Sequence, residues 1–148
     1  MFLMRDAALC LACALAFSAC ASALAPAKPR WPAFPDTNFM HVGGFLQVSG
    51  TGRAQGKVTS DAQRMSLGRD TALLDARRRL RSYLEGLALP DGSAVGQKAA
   101  DSNEYESGLD SLVRSVDIVS TRFDADVTAV VIRLPKTRVN AALGADYQ

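Results

Sequence analysis

The residue best placed for covalent chemistry is Cys20, which closes the hexapeptide Leu15–Cys20 at the end of an apolar run. Small residues at Ser18 and Ala19 follow the bulky Phe17, and this pattern is typical of a lipobox, whose cysteine sulfur carries a diacylglycerol. Each buried CH2 contributes ~0.8 kcal/mol, so several acyl chains anchor firmly where a single chain binds only reversibly. The pattern therefore predicts lipid attachment at Cys20, after the chain is cut just before it.

Residues 1–19 have the features of a lipoprotein signal peptide. Arg5 supplies the positive charge, and the apolar run from Ala7 to Phe17 follows it. That run is about a dozen residues, well short of the ~20 that a membrane-spanning helix needs. We therefore expect export of the chain and no transmembrane helix.

Ordinary secretion is the alternative processing route. Ala21–Ala23 and Ala23–Ala25 both fit an A-x-A cleavage site, although Pro26 disfavours the second. Cys20 would then be discarded with the leader, as Cys10 and Cys13 are. On either route the folded part has no disulfide and no cysteine metal ligand, so it depends on its apolar core.

The glycine-rich stretch from Gly50 to Val58 resembles a phosphate-binding loop only superficially. A P-loop needs glycine where Thr51 stands, and Ser or Thr where Val58 stands, to hold magnesium. The dinucleotide fingerprint also fails, because Gln55 occupies its third glycine. We predict no nucleotide and no other cofactor, and interpret the glycines as the end of a strand.

Residues for metal or acid–base chemistry are sparse. His41 is the only histidine and has no motif around it, so neither a metal site nor a histidine-based triad is predicted. The densest carboxylates are Asp101, Glu104, Glu106 and Asp110, which are scattered through a polar stretch. No local feature favours paired-carboxylate hydrolysis, so we assign no catalytic residue.

The strongest charge run is Arg77–Arg79 with Arg81. On a helix these side chains fan over more than half of the circumference, so they make no single basic stripe. A solvated face shared with neighbouring acids is the favoured interpretation, and a patch for phosphate or lipid headgroups is the alternative. The formal charge of the whole chain is only +2, which gives no argument for nucleic acid.

A proline-rich spacer follows Cys20, because prolines recur at positions 26, 29, 32 and 35. Proline fixes φ and biases the preceding residue to an extended conformation, so residues 20–41 are predicted to be a stiff spacer. Trp31 and Phe34 lie between these prolines. They either recognise a partner or the lipid surface, or dock onto the domain, which is the interpretation we favour.

The remaining chain, residues 42–148, is long enough for one domain. Apolar periodicity predicts a long helix over 61–85, capped by Ser60 with Gln63 and ended by Gly86. Residues 96–107 are polar and aperiodic, so we expect a mobile loop there. The other expected elements are a strand from Phe45, a short helix around Leu109–Val113, two strands of a hairpin at Val116–Phe123 and Val127–Leu134, and a terminal helix over 137–143.

These elements predict an α+β fold, with one long helix and a short helix packed on a small, mainly antiparallel sheet. The expected apolar stripe of the long helix begins with small residues and ends with large ones. Its members are Ala62, Met65, Ala72, Ala76, Leu80, Tyr83 and Leu87, flanked by Leu73 and Leu84. Since both faces of the last strand are apolar, we expect that strand to be central.

Four segments together resemble a known family: Ala62–Met65, Arg69–Leu80, the helix exit Leu84–Leu87, and Leu112–Thr121 with the strand after it. In this order behind a lipobox they are similar to the small outer-membrane lipoproteins first known from Helicobacter, a family that includes flagellar basal-disc lipoproteins. The resemblance covers roughly Gly50 to Val139. It implies an envelope lipoprotein without recognised catalytic residues, and some members assemble into rings around the flagellum.

The functional expectation is an outer-membrane lipoprotein that faces the periplasm and acts through protein–protein contact. Its partners would be the membrane, through the lipid on Cys20, a second copy of the chain, and envelope or flagellar proteins. Sheet edges favour self-association by strand addition. The alternative is a tethered hydrolase or ligand-binding module, which predicts a deep pocket lined by residues 96–107.

Overall fold

Four strands form a single antiparallel sheet in the order β1-β2-β4-β3, and the helices pack on it. The computed structural model describes residues 28–148. The predicted leader and the first eight residues of the predicted spacer, 20–27, which include Cys20, lie outside that range. The elements are β1 Phe39–Val42, β2 Phe45–Gly52, α1 Asp61–Glu85, α2 Val95–Asp101, α3 Asn103–Arg114, β3 Asp117–Asp124, β4 Val127–Pro135 and α4 Lys136–Leu143.

The core lies between α1 and the two central strands. In β2 and β4 alternate residues are buried, as the period of two requires for a sheet covered on one face. The register pairs these residues directly, with Leu46 opposite Leu134 and Val48 opposite Ile132. The helix contacts β2 and β4 along its length, which makes it the central element of the packing.

The predicted helix is confirmed, with its first turn stabilised as the sequence indicates. The Ser60 side chain accepts a hydrogen bond from the Gln63 amide at 3.2 Å. The Gln63 side chain reaches back one residue further than in a standard capping box, because its Oε1 accepts from the backbone and hydroxyl of Thr59. The helix ends at Gly86 as expected, but with φ −79°, so the left-handed exit that glycine allows is not used.

Gly50 lies inside β2 and Gly52 is its last residue, so the strand ends within the glycine-rich stretch, as the sequence predicts, but not at its first glycine. A Cβ atom on Gly50 would come within 2.4 Å of the Ala72 carbonyl oxygen and the Ala76 amide. The backbones of α1 and β2 are therefore in direct contact at this point, and a side chain on Gly50 would force them apart. The glycines in the strand and the alanines in the helix serve this same close approach.

The buried stripe of α1 differs at its start from the predicted one. The residues buried in the helix are Gly68, Ala72, Ala76, Leu80 and Leu84, spaced by four. Ala62 is exposed and Met65 is 43% exposed, because the first two turns extend past the edge of the covered sheet. Periodicity indicated the correct face of the helix, but it could not show where the sheet ends.

The loop predicted at 96–107 is wrong, since α2 and the first turns of α3 occupy it. The polar residues Glu104 and Glu106 lie in the first turn of α3, where the helix dipole favours acids. Ser102 caps this helix by accepting from the Tyr105 amide at 3.3 Å. Each of these short helices has few apolar residues, all on one face. The helical period therefore repeats too few times in the sequence to be recognised.

The other expectations for the fold are confirmed. The β3–β4 hairpin turns at Ala125, which adopts φ +47°, and β4 is a central strand. The molecule is an α+β fold with one long helix, shorter helices and a four-stranded antiparallel sheet. Across residues 28–148, every helix is too short or too polar to cross a membrane.

Candidate functional site

The predicted lipid-attachment residue, Cys20, lies outside the described residues. The structure describes the segment of chain that follows it from Lys28 onward. Residues from Lys28 onward pack on the domain, including the part of the predicted spacer that holds Trp31 and Phe34, and β1 adds a strand that the sequence did not indicate. The candidate site is therefore the attachment of this N-terminal segment, together with the surfaces that the anchored domain exposes.

Phe34 inserts into an aromatic cluster between α1 and the edge of the sheet. Its ring centroid lies 4.0 Å from that of Tyr83 on α1, and 4.6 Å from those of Phe39 and His41 on β1. The Tyr83 hydroxyl donates to the Pro32 carbonyl at 2.8 Å, which fixes the backbone on the other side of the ring. Burial raises the pKa of Tyr83, because the phenolate would be poorly solvated there.

Trp31 attaches the same segment to the C-terminus of the chain. Its ring centroid lies 4.7 Å from that of Tyr147, whose hydroxyl donates to the Ala88 carbonyl. The Gln148 amide donates to the Pro29 carbonyl at 3.2 Å, and Lys28 pairs with Asp146. The docking interpretation of the two aromatic residues thus agrees with the observed contacts.

Asp36 completes the attachment with charge. Its carboxylate accepts from the Asn38 amide at 3.0 Å and pairs with Arg79 at 2.9 Å. These bonds lower the pKa of Asp36, with those from Asn38 contributing most. Arg79 also pairs with Asp75, whose carboxylate accepts from the Thr51 amide in β2. The segment, the helix and the sheet are therefore joined by one set of polar contacts.

Two of the four acids expected in the polar stretch, Glu106 and Asp110, bind the same arginine. Glu106 and Asp110 both bind the guanidinium of Arg81, which also binds Glu85 at 2.7 Å. The hydrogen bonds that Arg81 donates to the carboxylates of Glu106 and Glu85 raise the pKa of its guanidinium. Three carboxylates held by one arginine link α1 to α3, and none of the three is free to act as a general base.

The arginine run is divided among different partners, as its helical spacing predicts. Arg77 donates to the Arg114 carbonyl at 3.2 Å, while Arg79 and Arg81 serve the two ion-pair groups described above. Arg78 is exposed. Neighbouring acids bind Arg79 and Arg81, as the solvated-face interpretation expects. Arg77, Arg78 and Arg81 also line a cleft of about 380 Å³ together with Arg114, so part of the run forms a basic patch on one side of the helix.

His41 makes a structural contact. Its Nε2 lies 2.9 Å from the Pro32 carbonyl oxygen, next to the stacked ring of Phe34. Among residues 28–148, no group of three or more His, Cys, Asp or Glu side chains comes together in a way that could hold a metal ion. The histidine therefore belongs to the attachment of the N-terminal segment.

The clefts in the described surface are small. One of about 360 Å³ borders part of the 96–107 stretch and is lined by Ser102, Glu104, Tyr105, Gly108 and Ala142. Two of its polar groups are already used, because Ser102 caps α3 and the Tyr105 hydroxyl donates to the Leu143 carbonyl. Another, of about 300 Å³, separates the start of α1 from the β3–β4 turn and includes Met65 and Phe123. Neither cleft gathers several unused polar groups of the kind that binds a small ligand.

The two edges of the sheet differ strongly. The β1 edge is four residues long, and the docked segment packs beside it through Pro32 and Phe34. The β3 edge is eight residues long, and all of its residues except Thr121 are exposed. Ile118, Val119 and Phe123 are 39%, 47% and 42% exposed, because α1 covers β2 and β4 and leaves β3 bare. Long exposed edges with apolar side chains favour pairing with another strand.

Only some of these features had a signal in the sequence. Alternation predicted β3 as a strand, but no local pattern distinguishes an edge strand from a covered one. The short β1 escaped recognition because four residues next to prolines are a weak pattern. No protein-family model matches the chain, and comparison with curated proteins finds no similar sequence.

Proposed function

We propose that this protein is a lipid-anchored component of the bacterial outer membrane, facing the periplasm, whose work is protein–protein contact and not catalysis. The observation that carries the proposal is the lipobox that ends in Cys20, directly after a short apolar run. The acyl chains would act as the membrane anchor, and residues 28–148 would be the part that meets partners. A structural or assembly role in the envelope, associated with the flagellum or not, follows from this arrangement.

The docked N-terminal segment supports an anchoring role. Lys28, the first described residue, pairs with Asp146 of the domain, and only seven residues, 21–27, separate it from Cys20. At about 3.5 Å per residue they reach at most ~28 Å. An anchor at Cys20 would therefore hold the domain near the bilayer by a short tether, and not on a long flexible stalk.

The chemistry of the described surface supports a contact role. The carboxylates around Arg81 are paired with that arginine, while apolar side chains remain exposed on β3. Clustered unpaired acids and bases are typical of active sites. Exposed apolar strand edges are typical of association.

The test is membrane retention of the full chain expressed in a Gram-negative host. We expect the parent chain in the outer-membrane fraction and the Cys20→Ala variant in the soluble periplasm. Cys13→Ala is the matched control, since it removes a leader cysteine outside the lipobox and should leave retention unchanged. Mass spectrometry of the mature N-terminus should find Cys20 first and carrying acyl chains. An acyl-free N-terminus, or a Cys20→Ala variant that stays in the membrane, would overturn the proposal.

A further inference from the structure

We propose that the partner of the β3 edge is the β3 edge of a second copy, paired antiparallel around a two-fold axis that passes beside Ser120. This inference rests on the contact role proposed above and assigns it a surface and a register. Two observations carry it: the longer edge of the sheet, β3, is exposed along its length, and the charges on that edge complement one another in a single register.

The unequal lengths of the two sheet edges limit the geometry. β1 is short and flanked by the docked segment, while β3 offers a full-length row of unpaired backbone groups. A contact between β3 of one chain and β1 of the next would build an open chain of copies, and the flanked β1 edge opposes it. A contact of β3 with β3 satisfies both open edges at once and closes as a dimer.

The register follows from which side chains share a face. Across the β3–β4 pair, Asp117 lies opposite Arg133, Ser120 opposite Val131 and Arg122 opposite Ala129, all on the face away from α1. The register shifts between Ile118 and Ser120, so Val119 is the extra residue there. In a continuous antiparallel sheet the two-fold axis is normal to the sheet, and each residue must face a residue from the same face.

When Val119 is left out of the pairing as the extra residue, three registers obey this rule and pair at least five residues of each copy. Centring on Thr121 places Asp117 opposite Asp124, and centring on Arg122 places that arginine opposite itself, so both oppose like charges. Centring on Ser120 places Asp117 opposite Arg122 twice, once on each side of the axis. Only this register has complementary charges throughout.

The side chains concerned are available for the contact. Asp117, Ser120 and Arg122 are exposed, and within residues 28–148 none of the three donates or accepts a side-chain hydrogen bond or forms an ion pair. On the helix side of the strand, the exposed Ile118 of each copy would face Thr121 of the other, and Phe123 would lie just beyond the paired residues. Charge therefore sets the register while apolar burial adds affinity.

The first experiment is cysteine cross-linking of the full chain in intact membranes. Ser120→Cys lies on the axis, so two copies would place their sulfurs within disulfide reach. Met40→Cys, 55% exposed on the β1 edge, is the matched control, and the parent chain gives the background from its own cysteines. We expect a disulfide-linked dimer from Ser120→Cys at least fivefold above both. A yield equal to that of Met40→Cys, or linkage only to a different protein, overturns the proposal.

The second experiment tests the register by charge exchange in the Ser120→Cys background. Arg122→Asp or Asp117→Arg alone would turn two favourable pairs into two repulsive ones, and we expect cross-linking to fall about tenfold. The double exchange should restore it, which a merely misfolded variant could not do. Failure of the double variant to recover overturns this register.

The same variants also separate this inference from the proposed function. None of the substitutions touches Cys20, so membrane retention should be unchanged in all of them. Retention without cross-linking would leave the anchor proposal standing and remove the dimer. Cross-linking of a chain that is released from the membrane would support the dimer and contradict the anchor proposal.

Discussion

Tyr83 is the residue at which the aromatic attachment of the N-terminal segment becomes sensitive to pH. Its ring packs on Phe34 and its hydroxyl donates to Pro32. Burial raises its pKa above the ordinary value of about 10, and burial also raises the pKa of Tyr105 and Tyr147. The folded state thus holds these phenolic protons more tightly than the unfolded chain does.

The sign of the pH dependence follows from linkage. A group whose folded pKa is raised contributes stability that is complete below its unfolded pKa and is lost as pH rises towards the folded pKa. We expect the free energy of unfolding to be flat from pH 7 to pH 9 and to fall above about pH 10. Urea titrations at several pH values measure it. Tyr83→Phe should reduce the alkaline slope; an unchanged slope would contradict the assignment.

Phe34→Ala tests the attachment itself. Removing a half-buried ring from this cluster should weaken docking of the segment by about 2 kcal/mol, which raises its detached population about thirtyfold. Tryptic cleavage after Arg30, which lies inside the segment, should accelerate in proportion. Phe123→Ala removes an exposed ring of the same size elsewhere and serves as the control. Equal cleavage rates for the two variants would show that Phe34 does not hold the segment.

Among the elements, the close packing of α1 on β2 requires a residue without a side chain at position 50. Gly50→Ala would place a methyl group against the backbone of Ala72 and Ala76, and neither backbone can move without disturbing the core. We expect a loss of about 3 kcal/mol in the free energy of unfolding, measured with urea on the Cys20→Ala chain.

Gly108→Ala is the matched control for that substitution. Gly108 lies inside α3, and apart from the nearby backbone of its own helix no described atom lies within 4 Å of the place that a Cβ atom would take. Alanine should therefore stabilise the helix by about 0.5 to 1 kcal/mol. A pair of variants with opposite signs would identify close approach as the cause. A cost below about 0.5 kcal/mol at Gly50 would show that the helix can retreat from the sheet.

How far the elements could be predicted depended on their length. The 25 residues of α1 repeat the helical period several times and carry a capping serine, so its bounds were readable. The seven residues of α2 and the four of β1 offer too little repetition, and prolines nearby obscure the second. Polar residues in the first turn of α3 stabilise that turn through capping and the dipole, yet they look like a loop to an argument from hydropathy.

At the scale of the whole molecule, the tether and the proposed dimer constrain each other. The docked segment enters the fold near Lys136 and Gly44, at one end of the strands, because Lys136 lies over Trp31 and its amide donates to the Gly44 carbonyl. A two-fold axis normal to the sheet puts these entry points at opposite ends of the shared sheet. The strands are about 27 Å long, which nearly equals the reach of one tether.

We therefore expect the strands of the anchored dimer to lie parallel to the bilayer plane. In that orientation both tethers reach the membrane without full extension, whereas an upright sheet would stretch one of them to its limit. Polarised infrared spectroscopy of the lipoprotein in a supported bilayer measures the strand direction. Arg122→Asp, expected to be monomeric, should lose the alignment. Strands aligned with the membrane normal in the parent would contradict the arrangement.

Local patterns along the chain were enough to specify several features. The lipobox predicts the anchor at Cys20, the capping residues and period place α1, and alternation yields the hairpin with β4 in the centre. Other features depend on how the chain packs: Phe34 meets Tyr83, Arg81 gathers three acids, and α1 covers two strands and leaves β3 bare. These contacts join residues that are far apart along the chain, and a local pattern carries no information about which distant surface will cover it.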